Sequence, residues 1–203
     1  MGLRETKKIE TRRAIAAAGM RLFVTRGFDH VTVGDIARDA NVSEKTVFNY
    51  FPTKEDIFFD EVPERLKALT DAVRARRPEQ SLVETMHHLH AKQTGRLASP
   101  GFAQFSRTIA ESPALQAKEV EVMAQFTDHL AATIREELGI HPADAQIAAN
   151  LLMSVQWQFF RNARAHALAG RSGQATARRL RAELDRAYRL LEHGLGALEP
   201  TSK

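Results

Sequence analysis

The 203-residue chain carries 29 Lys and Arg against 25 Asp and Glu, a formal charge of +4, and 43% of it is apolar, enough to bury the core of one large domain or two small ones. It contains no cysteine, which excludes disulfides, thiolate zinc sites and cysteine nucleophiles. No stretch approaches the roughly 20 apolar residues of a membrane span, and "MGLRETKKIETRR" lacks the apolar centre of a secretory signal, so a cytoplasmic protein with no membrane partner is expected.

The charge is unevenly placed. Residues 1–54 hold ten Lys and Arg against six Asp and Glu, whereas residues 55–203 hold 19 of each. A basic head ahead of a neutral body points to a polyanion at the first quarter of the chain, because phosphates are bound largely through Lys and Arg. Charge alone fits an ordinary basic surface equally well.

Apolar spacing is helical nearly throughout, and no alternating strand or Asn-Gly hairpin stands out, so the fold is expected to be all-α. From about Thr6 to Arg26, Ile9, Ile15, Ala16, Met20, Phe23 and Val24 fall mostly on one face, and Gly27 ends that helix. The preceding "LRETKK", with Arg4, Lys7 and Lys8, reads as a tail without fixed structure or as an arm for a minor groove. Thr32 and Asp35 make a Thr-x-x-Asp cap for a short second helix whose Ile36, Ala37 and Ala40 face inward, and Asn41 tolerates the left-handed turn that follows. Ser43 caps a third helix of about two turns with Val47 and Phe51 four apart on its buried side. Pro52 stops it, and Thr53 caps the next helix.

Pro and Gly residues divide the rest into expected helices near 54–76, 80–97, 101–111, 114–138, 143–169 and 174–198, about nine helices in all. Whether Pro63 kinks the 54–76 helix or begins a new one is open at this level.

Two short helices joined by a three- or four-residue turn, with small Ala37 near their crossing, describe a helix-turn-helix at about 32–51. The later helix is the one that enters a major groove. On it Glu44, Lys45, Thr46, Asn49 and Tyr50 should project away from Val47 and Phe51. Lysine suits guanine O6 and N7, asparagine suits adenine, and a threonine methyl suits thymine. A solvated corner of an ordinary bundle would carry similar residues singly, but hardly in this combination.

The stretch "FVTRGFDHVTVGDIARDANVSEKTVFNYFPTKEDIF" resembles the DNA-binding head of the TetR (tetracycline repressor) family of bacterial transcription regulators. It has Gly-Phe after the first helix, Thr-x-x-x-Ile-Ala, a Val-Ser turn, an aromatic-rich third helix and Phe-x-x-Lys-Glu. The resemblance covers roughly residues 6–60; beyond them only length and helical layout agree. It implies a helix-turn-helix domain over 1–54 and a ligand-binding and dimerisation domain over 55–203. By position, it implies that Thr32, Tyr50 and Lys54 hold phosphates while Val33, Gly34, Glu44, Lys45, Thr46 and Asn49 approach base edges, with the capping Ser43 in the same DNA-facing set. Lys54 also stands at a helix start, where backbone N–H groups favour an anion. Asn41 replaces the family's common glycine. Phe48 replaces a common tyrosine, loses a phosphate hydrogen bond, and is expected to pack inward.

A single head reads few base pairs, so a homodimer spanning half-sites of a palindromic operator on double-stranded DNA is expected. Leu151, Leu152, Val155 and Phe159 on one helix and Leu180, Leu184, Ala187, Leu191 and Leu195 on the next, which also bears Leu198, are the candidates for its interface, with burial in the chain's own core as the alternative. The resemblance also implies a pocket for a small-molecule effector. Met86, His87, His90, Phe102 and Phe105 are candidate lining residues, as are Met123, Phe126, Trp157 and Phe160. His87 and His90 are three apart, but no Asp, Glu or Cys stands where it would complete a metal set, so neither metal nor cofactor is expected.

The reading is a ligand-responsive regulator, a repressor released by its effector. An activator and a weakly sequence-specific DNA-coating protein are the alternatives. No phosphate loop, nucleophile elbow or His-Glu-x-x-His pair supports an enzyme, and no catalytic residue is assigned.

Overall fold

A computed structural model describes residues 2–194. Eleven helices run along the described residues: α1 (Leu3–Arg26), α2 (Val33–Asp39), α3 (Glu44–Tyr50), α4 (Lys54–Phe58), α5 (Val62–Arg74), α6 (Leu82–Ala91), α7 (Thr94–Leu97), α8 (Pro100–Ala110), α9 (Pro113–Leu138), α10 (Pro142–Leu168) and α11 (Gly173–His193). The all-α expectation holds. The count exceeds nine because two expected helices are each interrupted. The 54–76 segment breaks after α4, and Pro63 stands in the first turn of α5, where its missing N–H costs nothing. The 80–97 segment breaks between α6 and α7. At the other end, α1 begins at Leu3, so Lys7 and Lys8 ride on a helix rather than a loose tail; the side chain of Arg4 lies outside the described residues.

The chain divides into two compact units. Unit 1 comprises residues 1–63 and 107–119, and unit 2 comprises 64–106 and 120 onward. The expected boundary at 54 therefore falls inside unit 1. The reason is packing, since α4 lies against α1 and buries Ile57 and Phe58. Gly19 of α1 is the point of closest approach. A Cβ there would come within 2.5 Å of a methyl of Ile57, which is wholly buried.

Unit 1 is built on an aromatic cluster. Phe23 and Phe28 lie 4.8 Å apart between ring centroids, and Phe58 meets both at 6.0 and 6.1 Å, spacings at which tilted rings attract beyond simple burial. Ile15, Val31, Ile36, Val47 and Phe51 complete the core. Val24, expected on the inner face, is 41% exposed, because one step beyond Phe23 turns a side chain by about 100° away from the seam. Residues 107–119 are tied in by Ser112, whose hydroxyl donates to Asp29 at 2.8 Å, and by Lys118 paired with Asp56 at 3.0 Å.

Unit 2 is a helical bundle in which α11 packs on α6, α7 and α10. Leu69, Met86, Leu97, Leu130, Ile134, Leu152, Leu180 and Leu184 form its interior. Most of the expected interface residues are therefore core: Leu152, Val155, Phe159, Leu180 and Leu184 are buried within the single chain. An amphipathic helix spends its leucine stripe first on its own domain, and a second copy can use only what is left over. Here that remainder is Leu151, 51% exposed, with Ile147 and Leu168 on the same helix, while Ala187 and Leu191 are half-buried. Leu195 and Leu198 lie outside the described residues.

Candidate nucleic-acid interface

The geometry of the interface begins with three caps. Thr32 closes α2 with a reciprocal box: its Oγ1 accepts from the Asp35 N–H at 3.1 Å, and its own N–H donates to Asp35 Oδ2 at 3.1 Å. The Thr32 hydroxyl and N–H, then Arg38, hold the Asp35 carboxyl at a pKa of about 2, below its usual range. At the other end of α2, Asn41 adopts φ 53°. The N–H of Asn41 donates to Arg38 O at 3.2 Å and that of Val42 to Ala37 O at 2.9 Å, which is the paired closure of a Schellman turn. Ser43 then caps α3, accepting from the Thr46 N–H at 3.0 Å, and its hydroxyl also meets Thr46 Oγ1 at 2.7 Å. A helix of seven residues is unstable alone. It persists because these caps fix its start and Val47 and Phe51 are buried beneath it.

With that inner line fixed, Glu44, Lys45, Phe48 and Asn49 are exposed and Thr46 and Tyr50 are half-buried. Thr32 is exposed at the start of α2, and Val33 and Gly34 are half-buried beside it. A Cβ on Gly34 would sit 2.8 Å from Glu44 Oε1, so the Glu44 carboxylate hangs over α2 at the junction of the two helices. Phe48 corrects the sequence expectation. It does not pack inward but is 51% exposed, because the inward line is taken by Val47 and Phe51 and Phe48 is rotated off it.

Two cations hold this surface from behind. The Arg12 guanidinium donates to Tyr50 O at 3.1 Å, lies 4.3 Å from the centre of the Phe51 ring and pairs with Asp60, fastening the end of α3 to α1. The Lys54 ammonium donates to Phe28 O at 2.8 Å and Val31 O at 2.9 Å and sits 4.2 Å over the Phe28 ring. Two of its three N–H groups thus fix the loop that leads into Thr32. Sequence reading assigned Lys54 to a phosphate and passed over Arg12, because such fastening spans 23 to 38 positions and leaves no local pattern.

Unit 2 gathers most of the expected pocket residues into two groups. Phe102 lies 6.2 Å from Phe105 and 6.3 Å from Phe160, while the Arg65 guanidinium lies 4.9 Å from the Phe160 ring centre and 5.8 Å from that of Phe126. The second group is polar. The Tyr188 hydroxyl lies 2.7 Å from His90 Nδ1, and its ring is 5.1 Å from that of His87, whose Nε2 meets Asp185 at 2.6 Å. Each imidazole therefore has its own protein partner. Burial pushes the His90 pKa down to about 4, opposed by the Gln156 amide oxygen, an acceptor that favours the protonated ring, with Arg65 and His87 also lowering it, and burial likewise raises the Tyr188 hydroxyl. A neutral His90 accepting from Tyr188 carries its proton on Nε2, facing Gln156. Met86 is fully buried, and Met123 and Trp157 are half-buried; no aromatic contact joins Trp157 to either group among the described residues. Tyr188 and Gln156 went unpredicted, although Tyr188 continues the Leu180 and Leu184 line at a step of four. On the outer side of α10 and α11, Asn162, Arg179, Glu183, Arg186, Leu190 and neighbouring residues line a groove of about 840 Å³.

Residues 15–60 match the family model described as bacterial regulatory proteins, tetR family. The chain is 36% identical over 56 residues to the HTH-type transcriptional regulator TcmR of Streptomyces glaucescens, covering 28% of this chain and 25% of that one. It is 33% identical over 81 residues to the HTH-type transcriptional regulator HbdR of Aromatoleum sp. (strain CIB), covering 34% and 35%. These matches thus span only about a quarter and a third of the relatives' lengths. Among solved structures, the fold resembles Thermus thermophilus FadR, a TetR family transcriptional repressor in complex with lauroyl-CoA, with TM-score 0.58, 26% identity and coverage of 95% and 98%. It also resembles NalD, the secondary repressor of the MexAB-OprM multidrug efflux pump in Pseudomonas aeruginosa, with TM-score 0.58, 16% identity and coverage of 91% and 96%; that likeness concerns the fold alone.

Proposed function

Because the chain belongs to the TetR family of bacterial regulatory proteins, we propose that it is a cytoplasmic, non-enzymatic transcriptional regulator that binds a palindromic operator as a homodimer and is released by a small-molecule effector. The observation that carries the reading is the outward face of α3, which sets Lys45 and Asn49 over an apolar inner line and is held by the Ser43 cap at its start and by Arg12 at its end. Lys45, Thr46 and Asn49 are the base-reading candidates, with Val33, Gly34 and Glu44 beside them. Thr32 and Tyr50 position the phosphate backbone. Lys54 acts mainly by shaping the loop before α2.

A dimer would use the outward row of α10, with Ile147 and Leu151, and the adjoining groove on α11. The effector reading rests on the interior of unit 2, where aromatic side chains and neutral His90 suit an apolar molecule with a hydrogen-bonding group. Lauroyl-CoA, bound by the FadR relative, is the first compound to test by its effect on DNA affinity.

The direct experiment is repeated selection of bound sites from random double-stranded DNA at moderate ionic strength. A palindrome with half-site centres about 34–36 Å apart is expected. Failure to enrich any sequence, using protein freed of bound small molecules, would defeat the reading.

A further inference from the structure

Resting on the operator-binding reading above, we propose that Phe48 is a specificity-determining residue whose ring packs against the C5-methyl group of a thymine in the major groove of each half-site. Three observations carry this. Phe48 is a large aromatic side chain left 51% exposed on a helix whose other exposed residues are Glu44, Lys45 and Asn49. It follows Lys45 by three positions and Glu44 by four, so the ring stands on the outward face they share. And the first 54 residues supply the chain's entire formal surplus of positive charge, which brings a duplex rather than an apolar protein surface to this face.

Chemistry then narrows the contact. A phenyl ring neither donates to a phosphate nor pairs with the donors and acceptors on a base edge. In the major groove the apolar feature that separates one base pair from another is the thymine methyl. Burying that methyl removes apolar area from water on both partners, which is the favourable term available to this side chain.

The test uses the full-length protein and the operator obtained by selection. Each thymine is replaced in turn by deoxyuridine, which deletes the methyl and keeps the pairing edge. Binding is measured for the wild type, Phe48→Ala and Phe48→Tyr. At one thymine per half-site the wild type should lose about fourfold in affinity, the worth of one buried carbon, and about fifteenfold when both half-sites are changed. Phe48→Ala, which removes the contact from both half-sites, should bind the unmodified operator at least about fifteenfold more weakly and be indifferent to deoxyuridine there, while Phe48→Tyr, which keeps the ring, should remain sensitive. Thermal unfolding of Phe48→Ala should match the wild type, because the side chain lies outside the core.

Equal sensitivity to deoxyuridine in Phe48→Ala and wild type would overturn the proposal and assign the ring to sugar or backbone. So would a wild type indifferent to every deoxyuridine, or a Phe48→Ala change seen only in the oligomeric state. In each of these cases sequence-preferred binding survives and only the role of Phe48 falls. Absence of any preferred sequence would take the operator reading down with it.

Discussion

The helices α3 and α11 present the same apolar arithmetic and put it to different use. In α3, Val47 and the following Phe51, four apart, sink into unit 1, and Glu44, Lys45, Phe48 and Asn49 of the seven-residue helix are left facing solvent. In α11, Leu180, Leu184 and Tyr188 at the same spacing sink into unit 2, and what stays outside includes Arg178, Arg179, Arg181, Arg186 and Arg189. The buried stripe reveals in both cases only where the domain's own core lies. The surface offered to a partner is its complement, so partner residues are read from the polar or odd-man-out positions: Lys45, Phe48 and Asn49 on α3, and Ile147 and Leu151 on α10.

The largest expected effect separates stripe from complement in unit 2. Leu184→Ala should cost about 3 kcal/mol in urea unfolding, as for a buried leucine, because the side chain is wholly enclosed within one chain. Leu151→Asp should change unfolding by less than about 0.5 kcal/mol and yet abolish self-association in sedimentation. If Leu151→Asp still sediments as a dimer, the outward row of α10 is not the interface.

A second contrast lies within unit 1, between two lysines nine residues apart. Lys54→Met removes the donor to two carbonyls and should cost about 2 kcal/mol of unit 1 stability, with little change in the slope of log affinity against log salt. Lys45→Met should leave unfolding alone and relax the preference at one base pair, as expected of a base-reading contact. Salt titrations of the Lys54 variant and the wild type against the same DNA decide between fastener and phosphate contact; a Lys54 variant that sheds a full unit of slope would return it to the phosphate.

Legibility in the sequence followed the range of each interaction. Caps and turns act over three to five residues, so Thr32 with Asp35, Ser43 with Thr46, Asn41 at the turn and Thr53 before α4 were all readable, and with them the helix-turn-helix. The buried pair Val47 and Phe51 was readable for the same reason. Arg12, Lys54, Tyr188 and Gln156 were not, because each acts on an element far away in the chain. Phe48 was misread since its type suggests burial, and only the fixed rotation of α3 shows that it cannot reach the core. The break after α4 was hidden because Pro63 is equally compatible with a kink and with a helix start.

His90 offers a comparison by pH rather than by mutation alone. Its pKa falls from 6.5 in an exposed setting to about 4 in the fold, so between those values the unfolded chain binds a proton that the folded chain refuses. Stability from this residue is present above about pH 6.5 and is lost as pH falls toward about 4. Asp185 on α11 is also held below its usual range: burial opposes this, but hydrogen bonds from His87 and Arg181 prevail. Its contribution survives to lower pH. His90→Gln, which can still accept from Tyr188, should flatten the stability curve between about pH 6.5 and 4. A curve with unchanged slope there would mean that His90 is protonated in place.

The smallest expected effect tests the turn between the two short helices. Asn41 already tolerates φ 53° better than most residues, so Asn41→Gly should shift stability by less than about 1 kcal/mol and leave DNA affinity unchanged. Asn41→Val places a β-branched side chain in the left-handed region and should cost about 1–2 kcal/mol. The comparison is informative because the two N–H donors that close the turn come from Asn41 and Val42 themselves, and neither substitution removes them. A loss in Asn41→Val but not in Asn41→Gly therefore isolates backbone strain. Should both variants lose DNA affinity while unfolding normally, the Asn41 side chain would be reaching a phosphate, and the turn would belong to the interface rather than merely aiming it.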